Sequence, residues 1–424
     1  MNAIDREFAE LRQVIPPQQP LVQALVDDYR DRQPLRGITA LLIQHQLGNH
    51  VFQTQALIDL GLDARKIYWI DIPYTSTPAV RDALMALGIP ADNLFTHQLK
   101  LFDCYATEQR RRVHAVAQHF IENPPDKLLV LDDGSYFLES IVCFERKIPQ
   151  VAIVEQTTRG LIKIDENAAL RHEAEQVPII NVAGSAPKKY LEPPFIAKAI
   201  CHALMKKLAD RYSAPHQQQC LVLGYGAIGR HVAQFIWKQL NFSLGHIRVY
   251  DPAFKGEHSC SFPLWDKRDL RARFDLVVGC SGRASFGVGD FVHLNDGAIL
   301  ASASSGSVEL SRRDFIELAA TSHDDDIWID RASLNESNIH SDIPMHFPNR
   351  AVTFLNGGFP VNFAGNINCL PARYIQQTVA MMVRAAIQAV VADRGGVIPL
   401  DEGFCKQLEI DFRKLLGEQA SILD

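Results

Sequence analysis

A glycine-rich stretch in the middle of the chain has the residue types and spacing that suit dinucleotide binding. A short apolar run at 221–223 leads into Gly224-Tyr225-Gly226-Ala227-Ile228-Gly229, and apolar residues at helical spacing follow. A second β-branched run, 247–250, then ends in Asp251. Strand, glycine-rich turn, helix, strand and acid, in that order, form the context in which such a motif binds a pyrophosphate.

Each part of this motif has a physical task. Gly224 permits the tight turn, Gly226 lets the backbone approach the pyrophosphate, and Gly229 lets helix and strand pack closely. The amino end of the helix offers N–H groups and a positive dipole to the phosphates. Asp251 is placed to bond the ribose hydroxyls and would repel the 2′-phosphate of NADP, so the motif predicts NAD, although Arg248 weakens this preference slightly. The predicted cofactor residues here are Gly224, Gly226, Ala227, Ile228, Gly229 and Asp251.

Length and composition indicate a globular chain of two or three domains. The chain has 424 residues, of which 47% are hydrophobic, and a net charge of −6, which argues against nucleic acid as the main partner. Its eight cysteines are scattered without a C-x-x-C pair, which predicts no metal site and no disulfide framework and suits the cytoplasm. The first residues lack the apolar core of a signal peptide, and no apolar run is long enough to span a membrane.

Polar residues follow several buried strands in the first part of the chain. Strands are predicted at 38–43, 66–70, 127–131 and 151–154, alternating with helices, which predicts a doubly wound parallel sheet. Open sheets of this kind bind ligands outside the carboxyl ends of their strands. Any one of these polar residues could be an ordinary cap, but the recurrence at four strand ends predicts a site. The residues concerned are His45, Asp71, Asp133, Glu155, Gln156 and Thr157.

Two further predicted strands continue the dinucleotide domain. They cover 275–279 and 298–301, and both end in small residues that would let the backbone approach a nicotinamide. Ser281 and Ser304 are the predicted cofactor contacts in these two turns. Residues 179–200 are rich in glycine and proline, which predicts a connection between domains.

Six motifs in the same order resemble those of the adenosylhomocysteinases. The family's E-E-T-T-T-G is similar to Glu155 through Gly160, and its L-D-D-G-G-D to Leu131 through Tyr136. Its G-Y-G-D-V-G-K is close to Gly224 through Arg230. Three further motifs align with stretches that begin at Ile180, Ala298 and Gly357, so that the resemblance extends over about 36–392.

The resemblance implies an architecture of two doubly wound Rossmann-like α/β domains joined by hinges. A substrate domain would be formed by residues 1–190 and 353–395, and an NAD-binding domain by residues 191–352 would be inserted in it. A tail helix would occupy 396–424. The family also implies a homo-oligomer, either a dimer or a tetramer, with a nucleoside or thioether nucleoside as substrate.

The resemblance further implies a chemistry. Family members use NAD⁺ to oxidise the 3′-hydroxyl of a nucleoside, eliminate the 5′ thiol, add water and reduce the ketone again. Removing hydride from an alcohol requires a base for its proton, and a buried lysine can serve. Lys188 stands at the position of the catalytic lysine, and Glu192 replaces its partner aspartate. The other matching site residues are Asp133 and His45, and the matching cofactor contacts are Thr157, Thr158 and Asn362.

Several family positions are changed. One family histidine falls on Ser305, and another falls at Cys369 or Leu370. Gln156 replaces the glutamate that holds the substrate ribose, so that Glu155 and Gln156 are the predicted substrate contacts. The family acid that binds the cofactor ribose aligns with Val249, which leaves Asp251 for that role. Further changed positions are Leu47, Ala183 and Pro193.

Three functions are compatible with this pattern. The first is an NAD-dependent enzyme that oxidises a hydroxyl of a nucleoside-like substrate and then stops or continues through elimination or hydrolysis. The second is a true adenosylhomocysteinase with diverged contacts, and the third is an inactive NAD-binding regulator. The first is favoured because the redox base is retained, whereas the residues that bind the ribose and act on the leaving group are altered. Each lost hydrogen bond to a substrate hydroxyl costs about 1–3 kcal/mol.

Overall fold

The chain folds into two compact units. The computed structural model describes residues 7–14, 18–254, 260–304, 309–321 and 327–423. Unit 1 is assembled from three segments and unit 2 from two. The segments of unit 1 are Met1–Gln98, Tyr105–Glu192 and Gly365–Asp424, and those of unit 2 are Leu99–Cys104 and Pro193–Ala364.

Unit 1 contains a seven-stranded sheet whose described pairings are all parallel. Its strands are β1 (Thr39–Gln44), β2 (Ile67–Asp71), β3 (Leu94–Phe95), β4 (Leu128–Asp132), β5 (Val151–Glu155), β6 (Pro178–Asn181) and β13 (Gly396–Pro399). They lie in the order β13-β6-β5-β4-β1-β2-β3. From β1 the chain continues outward through β2 and β3, and from β4 it continues in the opposite direction through β5 and β6. The topological switch point therefore lies between β1 and β4.

Helices cover this sheet because its central strands are apolar on both faces. Every residue of β1 and β4 is buried, which is typical of a parallel strand between helical layers. Helix α12 is buried around most of its circumference and packs on β4, β5 and β6. The helices of unit 1 are α1 (Pro20–Tyr29), α2 (Gly48–Asp59), α3 (Pro78–Ala86), α4 (Tyr105–Glu122), α5 (Tyr136–Ile141), α6 (Thr158–Glu166), α7 (Ala168–Ala174), α8 (Ala186–Tyr190), α12 (Ala372–Val391) and α13 (Glu402–Leu416).

Unit 2 contains a six-stranded sheet of the same general type. Its strands are β7 (Cys220–Leu223), β8 (Ile247–Tyr250), β9 (Phe274–Gly279), β10 (Leu294–Ser302), β11 (Ile343–Phe347) and β12 (Arg350–Phe354), and its helices are α9 (Pro193–Leu208), α10 (Ala227–Gln239) and α11 (Arg312–Thr321). The order is β11-β12-β10-β9-β7-β8, with only β11 antiparallel among the described pairings. The switch point lies between β7 and β9. The predicted fold class, two doubly wound Rossmann-like α/β domains, is confirmed.

The unit boundaries differ from the predicted ones at several places. Leu99–Cys104, inside the predicted substrate domain, belongs to unit 2, and unit 1 extends to Glu192 rather than to 190. The return to unit 1 comes at Gly365 rather than at 353, because the Val361 N–H donates to the Ser302 carbonyl and ties this segment to the end of β10. Residues 396–424 belong to unit 1 rather than forming a separate tail, because β13 adds to the sheet beside β6.

The stretch 179–200 does connect the two units, because unit 1 reaches Glu192 and unit 2 continues from Pro193, but the prediction that it contains no core element was wrong. Ile179 and Ile180 are buried in β6, and two helices, α8 and α9, follow within the same stretch. Pro193 and Pro194 are compatible with a helix because they occupy the first turn of α9, where the missing N–H has no intrahelical partner. Glycine and proline therefore mark helix starts and turns here rather than an unstructured linker.

Candidate functional site

Unit 1 brings predicted site residues together at the carboxyl edge of its sheet. His45 directly follows β1, and Asp133 directly follows β4, so both lie at the switch point. The register pairs Asp132 with Glu155, and Gln156 follows immediately. Parallel strands end at one edge, which is why residues that are far apart in sequence meet there.

Lys188 and Glu192 form an ion pair in the same unit. Lys188 lies in α8, and Glu192 lies four residues later, directly before α9. Their side chains are 19% and 11% exposed. Burial lowers the pKa of His45 and His50, and the positive charge of Lys188 adds to this effect; the same charge opposes the rise that burial causes in the pKa of Asp133, so these groups lie within its electrostatic reach. The predicted base, its partner carboxylate and two further predicted site residues therefore belong to one cluster.

Asp133 is a buried carboxyl group at this edge. Gln44 donates a hydrogen bond from Nε2 to Oδ1 of Asp133 at 3.5 Å, and Gln156 also donates to this carboxylate. The other oxygen, Oδ2, is buried and has no hydrogen-bond partner among the described residues. Burial, with the nearby charge of Asp132, raises the pKa of Asp133 to about 7. This carboxyl group can therefore exchange a proton near neutral pH.

His45 is held in one tautomer. The Thr75 hydroxyl donates to the Ile72 carbonyl at 2.8 Å, so its oxygen is the acceptor for Nδ1 of His45 at 3.3 Å. The proton thus lies on Nδ1, and Nε2 carries the lone pair. Burial, followed by the charges of His50 and Lys188, lowers the pKa of His45 to about 3. The ring is therefore neutral at physiological pH.

Glu155 accepts four hydrogen bonds from its own unit. Ser135 donates from N at 2.7 Å and from Oγ at 2.8 Å, and Thr157 donates from N at 2.7 Å and from Oγ1 at 2.6 Å. Burial and the charge of Glu155 raise the pKa of Asp132 to about 8. Through these hydrogen bonds Glu155 links the turn after β4 to the turn after β5.

The two predicted threonine contacts lie at the amino end of α6. Thr157 caps this helix, because its Oγ1 accepts from the Gly160 N–H at 3.0 Å while the hydroxyl proton is donated to Glu155. Thr158 is the first residue of α6 and is exposed. The role of Thr157 and Thr158 in cofactor binding stays a prediction.

The buried carboxyl of Asp133 predicts a pH-dependent stability. Because the folded-state pKa, about 7, lies above the ordinary 3.8, the folded state binds this proton more tightly, and stability falls as pH rises from about 4 to about 7. We expect Asp133→Asn to melt above the wild type at pH 8, by about 4–8 °C if about 2 kcal/mol is recovered. The difference should shrink at pH 5. Calorimetry of Asp133→Asn and of the exposed control Asp126→Asn checks this, and a constant difference at both pH values would contradict it.

Unit 2 places the glycine motif between β7 and α10. Gly224 has a φ of +90°, and a Cβ there would lie 2.7 Å from Cα of Ser281. A Cβ on Gly229 would lie 1.9 Å from the Gly224 carbonyl oxygen. Gly226 differs, because a Cβ there would meet no described protein atom within 4 Å. The space at Gly226 is thus open for a ligand, whereas the other two glycines are required by protein packing.

The amino end of α10 and Asp251 face the same turn. Gly226 is the N-cap of α10, and no side chain caps the helix, so the N–H groups that begin at Ala227 and Ile228 are available to an anion. Asp251 directly follows β8 and accepts from the Tyr225 N–H at 2.8 Å, which orients its carboxylate beside the turn. Val249, the position of the family's acid, is buried in the core.

The other predicted cofactor residues of unit 2 lie at the ends of β9 and β10. The Oγ of Ser281 bonds the Arg283 carbonyl at 2.8 Å, and the Ser304 side chain bonds Glu309. Asn362 is buried, and its Oδ1 has no hydrogen-bond partner among the described residues. Ser305, the position of a family histidine, lies outside the described residues.

Sequence reasoning missed Glu309 as a link between these turns. Its carboxylate accepts from the Gly282 N–H at 2.8 Å and from the Ser302 hydroxyl at 3.2 Å. Gly279 makes room for it, because a Cβ there would lie 2.8 Å from Cβ of Glu309. Burial raises the pKa of Glu309. Glu309 stands near the end of the family-like motif that begins at Ala298, but only the approach of β9 to β10 reveals its partners.

The described ranges contain neither a cluster of metal ligands nor a membrane-spanning helix. No three or more His, Cys, Asp or Glu side chains in those ranges are grouped so as to hold a metal ion. No helix in those ranges is both long and apolar enough to cross a membrane.

Comparisons with known proteins give a distant relationship. No protein-family model matches the chain. Two curated relatives, "Uncharacterized protein MT0113" and "Uncharacterized protein Rv0104" of Mycobacterium tuberculosis strains, are each 29% identical over 376 residues, which is 88% of this chain and 68% of theirs.

Solved structures give weak likenesses. A D-2-hydroxyisocaproate dehydrogenase is 14% identical with a TM-score of 0.30 and covers 66% of this chain and 75% of its own. An NAD-dependent formate dehydrogenase from Staphylococcus aureus in complex with NAD is 10% identical with a TM-score of 0.36 and covers 89% and 96%. Membership of the adenosylhomocysteinases stays a prediction, as do the cytoplasmic location and the homo-oligomer.

Proposed function

We propose that this protein is an NAD-dependent enzyme that oxidises a hydroxyl group of a nucleoside-like substrate. Elimination or hydrolysis can follow on the same site. The observation that carries the proposal is the buried Lys188–Glu192 pair beside Asp133 and His45, at the switch point of unit 1. A lysine held in a cluster of proton-exchanging groups is what the removal of an alcohol proton requires.

The glycine motif of unit 2 fits NAD. The open space at Gly226 suits a pyrophosphate, the uncapped start of α10 offers N–H groups to it, and Asp251 is oriented for ribose hydroxyls. Ser281, Ser304 and the unpartnered Oδ1 of Asn362 are further proposed contacts. When bound, NAD⁺ supplies a hydride acceptor.

The residues of unit 1 have separate tasks in this proposal. Lys188 first passes its ammonium proton to the carboxylate of Asp133, then takes the proton of the reacting hydroxyl as a neutral amine, and Glu192 stabilises the ammonium that forms again. Asp133, whose pKa is about 7, relays or holds a proton next to Lys188. His45 contacts the substrate at the switch point as a neutral imidazole whose Nδ1 bonds Thr75.

The presence of Gln156 favours a substrate that differs from those of ordinary adenosylhomocysteinases. Its amide donates to Asp133 instead of presenting a second carboxylate to ribose hydroxyls. Glu155 is occupied by four hydrogen bonds within unit 1 and is proposed to position Gln156. The position that holds a ribose-binding glutamate in the family is therefore occupied by Gln156. The proposed redox residues, Lys188 and Glu192, are retained.

The test is an incubation of the purified protein with NAD⁺ and a panel of nucleosides, polyols and adenosylhomocysteine. Bound NADH absorbance, free thiol and product mass are followed together. NADH without thiol supports the proposal. Release of thiol and adenosine from adenosylhomocysteine would make the protein a true adenosylhomocysteinase, and bound NAD⁺ that no compound reduces would favour a regulator.

Asp251 is expected to set the choice of dinucleotide. Replacing it with asparagine removes the charge that would repel a 2′-phosphate and weakens the grip on the ribose hydroxyls. We expect Asp251→Asn to bind NAD⁺ about tenfold more weakly, which is about 1.4 kcal/mol, and to lose less or none of its affinity for NADP⁺. Calorimetric titration with both dinucleotides checks this. Equal losses for both would show that Asp251 only braces the Tyr225 turn.

A further inference from the structure

A cavity lies in unit 1 at the edge of the sheet opposite to the candidate site. Its volume is about 370 Å³, and its walls come from residues at or directly before the starts of β4, β5 and β6 and from the carboxyl ends of α4, α5, α7 and α12. Sites for small molecules have volumes of about 300–1,000 Å³. Strand β5 has five residues and is about 13 Å long, and it separates the cavity from Glu155 at the carboxyl edge.

One part of the lining is apolar. Ile121, Ile141, Ile148 and Val177 line the cavity, and each of them is at most 9% exposed. These side chains are held by the surrounding core, so they present a fixed apolar surface. Bringing apolar groups together out of water is favourable. The cavity therefore suits a ligand with an apolar body.

Three cations and one carboxylate line the same cavity, and two of the cations are already committed. Lys147 pairs with Glu173 at 2.8 Å and also donates to the Ile141 carbonyl at 3.1 Å. Lys127 donates from Nζ to the Val390 carbonyl at 2.5 Å, which places its charge at the carboxyl end of α12. That end of a helix carries a partial negative charge, so the charge of Lys127 is partly compensated.

Arg146 is the remaining cation of the lining. Among the described residues nothing accepts a hydrogen bond from its guanidinium or forms an ion pair with it, and the residue is exposed. A guanidinium binds a carboxylate through two parallel hydrogen bonds. The side-chain amides of Gln150 and Gln176 also line the cavity and add neutral donors. The uncompensated charge at the cavity is thus that of one cation, which matches one negative charge on a ligand.

We propose that this cavity binds a small organic monocarboxylate. Its carboxylate lies at Arg146, and its apolar body lies against Ile121, Ile141 and Val177. A ligand of this kind stabilises the folded protein, because the site does not exist in the unfolded chain. The proposal is independent of the redox function, since the cavity and Asp133 lie at opposite edges of the sheet.

The test uses 2-naphthoate as the probe and 2-naphthamide, which has nearly the same shape without the charge, as its neutral control. Both are titrated calorimetrically into the whole chain, with and without excess NAD⁺. The variants are Arg146→Glu, Arg146→Gln and the matched control Arg36→Gln, which changes an exposed arginine of unit 1 outside the cavity. Thermal melting without ligand is measured for each variant, and we expect no change, because Arg146 has no described partner to lose.

We expect wild type and Arg36→Gln to bind one naphthoate per chain with a Kd of about 1 mM or below. The amide should bind about tenfold more weakly or not at all, because it cannot form the charged pair. Arg146→Glu should weaken naphthoate binding at least about tenfold, since repulsion replaces attraction, and Arg146→Gln should have a smaller effect of the same sign.

Three results would each overturn the proposal. They are equal binding of naphthoate and naphthamide, equal naphthoate affinity in wild type and in both Arg146 variants, and no naphthoate binding at millimolar concentrations. The assay of NADH formation bears only on the redox function, so a failure of one proposal is distinguishable from a failure of the other.

Discussion

Replacing Lys188 with methionine is expected to abolish NADH formation while NAD⁺ binding persists. Methionine keeps the length of the side chain but cannot accept the proton of the substrate hydroxyl. General-base catalysis contributes about 10²–10⁴-fold, so we expect a rate loss in that range or larger. NAD⁺ affinity should be unchanged because the glycine motif lies in unit 2, a different unit.

Two variants control for the charges of this cluster. Lys188→Met leaves the Glu192 carboxylate buried without its partner, which can destabilise the fold, so the double variant Lys188→Met/Glu192→Gln removes both charges. Lys189→Met is the matched control, because Lys189 is the next residue in α8 and is exposed. Rates are followed by bound NADH absorbance in single turnovers. Full activity in both Lys188 variants would remove this lysine from the mechanism.

Replacing Gly226 with valine is expected to abolish NAD⁺ binding without unfolding the protein. The backbone of Gly226 has a φ of −76°, which any residue adopts, and an added side chain meets no described protein atom within 4 Å. The side chain would instead fill the space proposed for the pyrophosphate. We expect affinity to fall at least about 100-fold, or about 2.8 kcal/mol.

Gly245 provides the matched control for this variant. It lies in the same unit, and a Cβ there also meets no described atom within 4 Å, but it is located before β8 and away from the turn. Gly226→Val and Gly245→Val are compared by calorimetric titration with NAD⁺ and by thermal melting. Equal affinities with equal melting temperatures would show that the dinucleotide does not bind at the glycine motif. Valine at Gly229 would be uninformative, because it collides with the Gly224 carbonyl.

Much of the fold could be predicted because its signals are local. The apolar runs of β1, β4 and β7 are fully buried, and a run of this kind predicts a strand of a parallel sheet wherever it occurs. The alternation with helices then restricts the topology to a doubly wound sheet. The antiparallel pairing of β11 with β12 and the edge position of β13 were not predicted, since short half-exposed strands carry little pattern.

The candidate site was less predictable because burial and partners decide what each polar residue does. Glu155 and Thr157 follow one another in a motif that suggested ligand contacts, yet they bond to each other and to Ser135. Asp133 keeps one oxygen without a described partner, and only its burial gives it a pKa of about 7. Sequence spacing reports which groups end a strand but not which of them remain open to a ligand.

The sequence by itself determined the dinucleotide motif, the doubly wound class and the edge of the sheet where polar residues gather. These follow from residue order, because strand, turn and helix are set by neighbours in the chain. The tertiary structure alone decided that the first turn of α2 is tied to the segment at Ile367 and Asn368. It also decided that Gly226 borders open space while Gly224 and Gly229 do not. Such facts depend on distances between segments that are remote in sequence, and these distances arise only when the sheet and its helices pack.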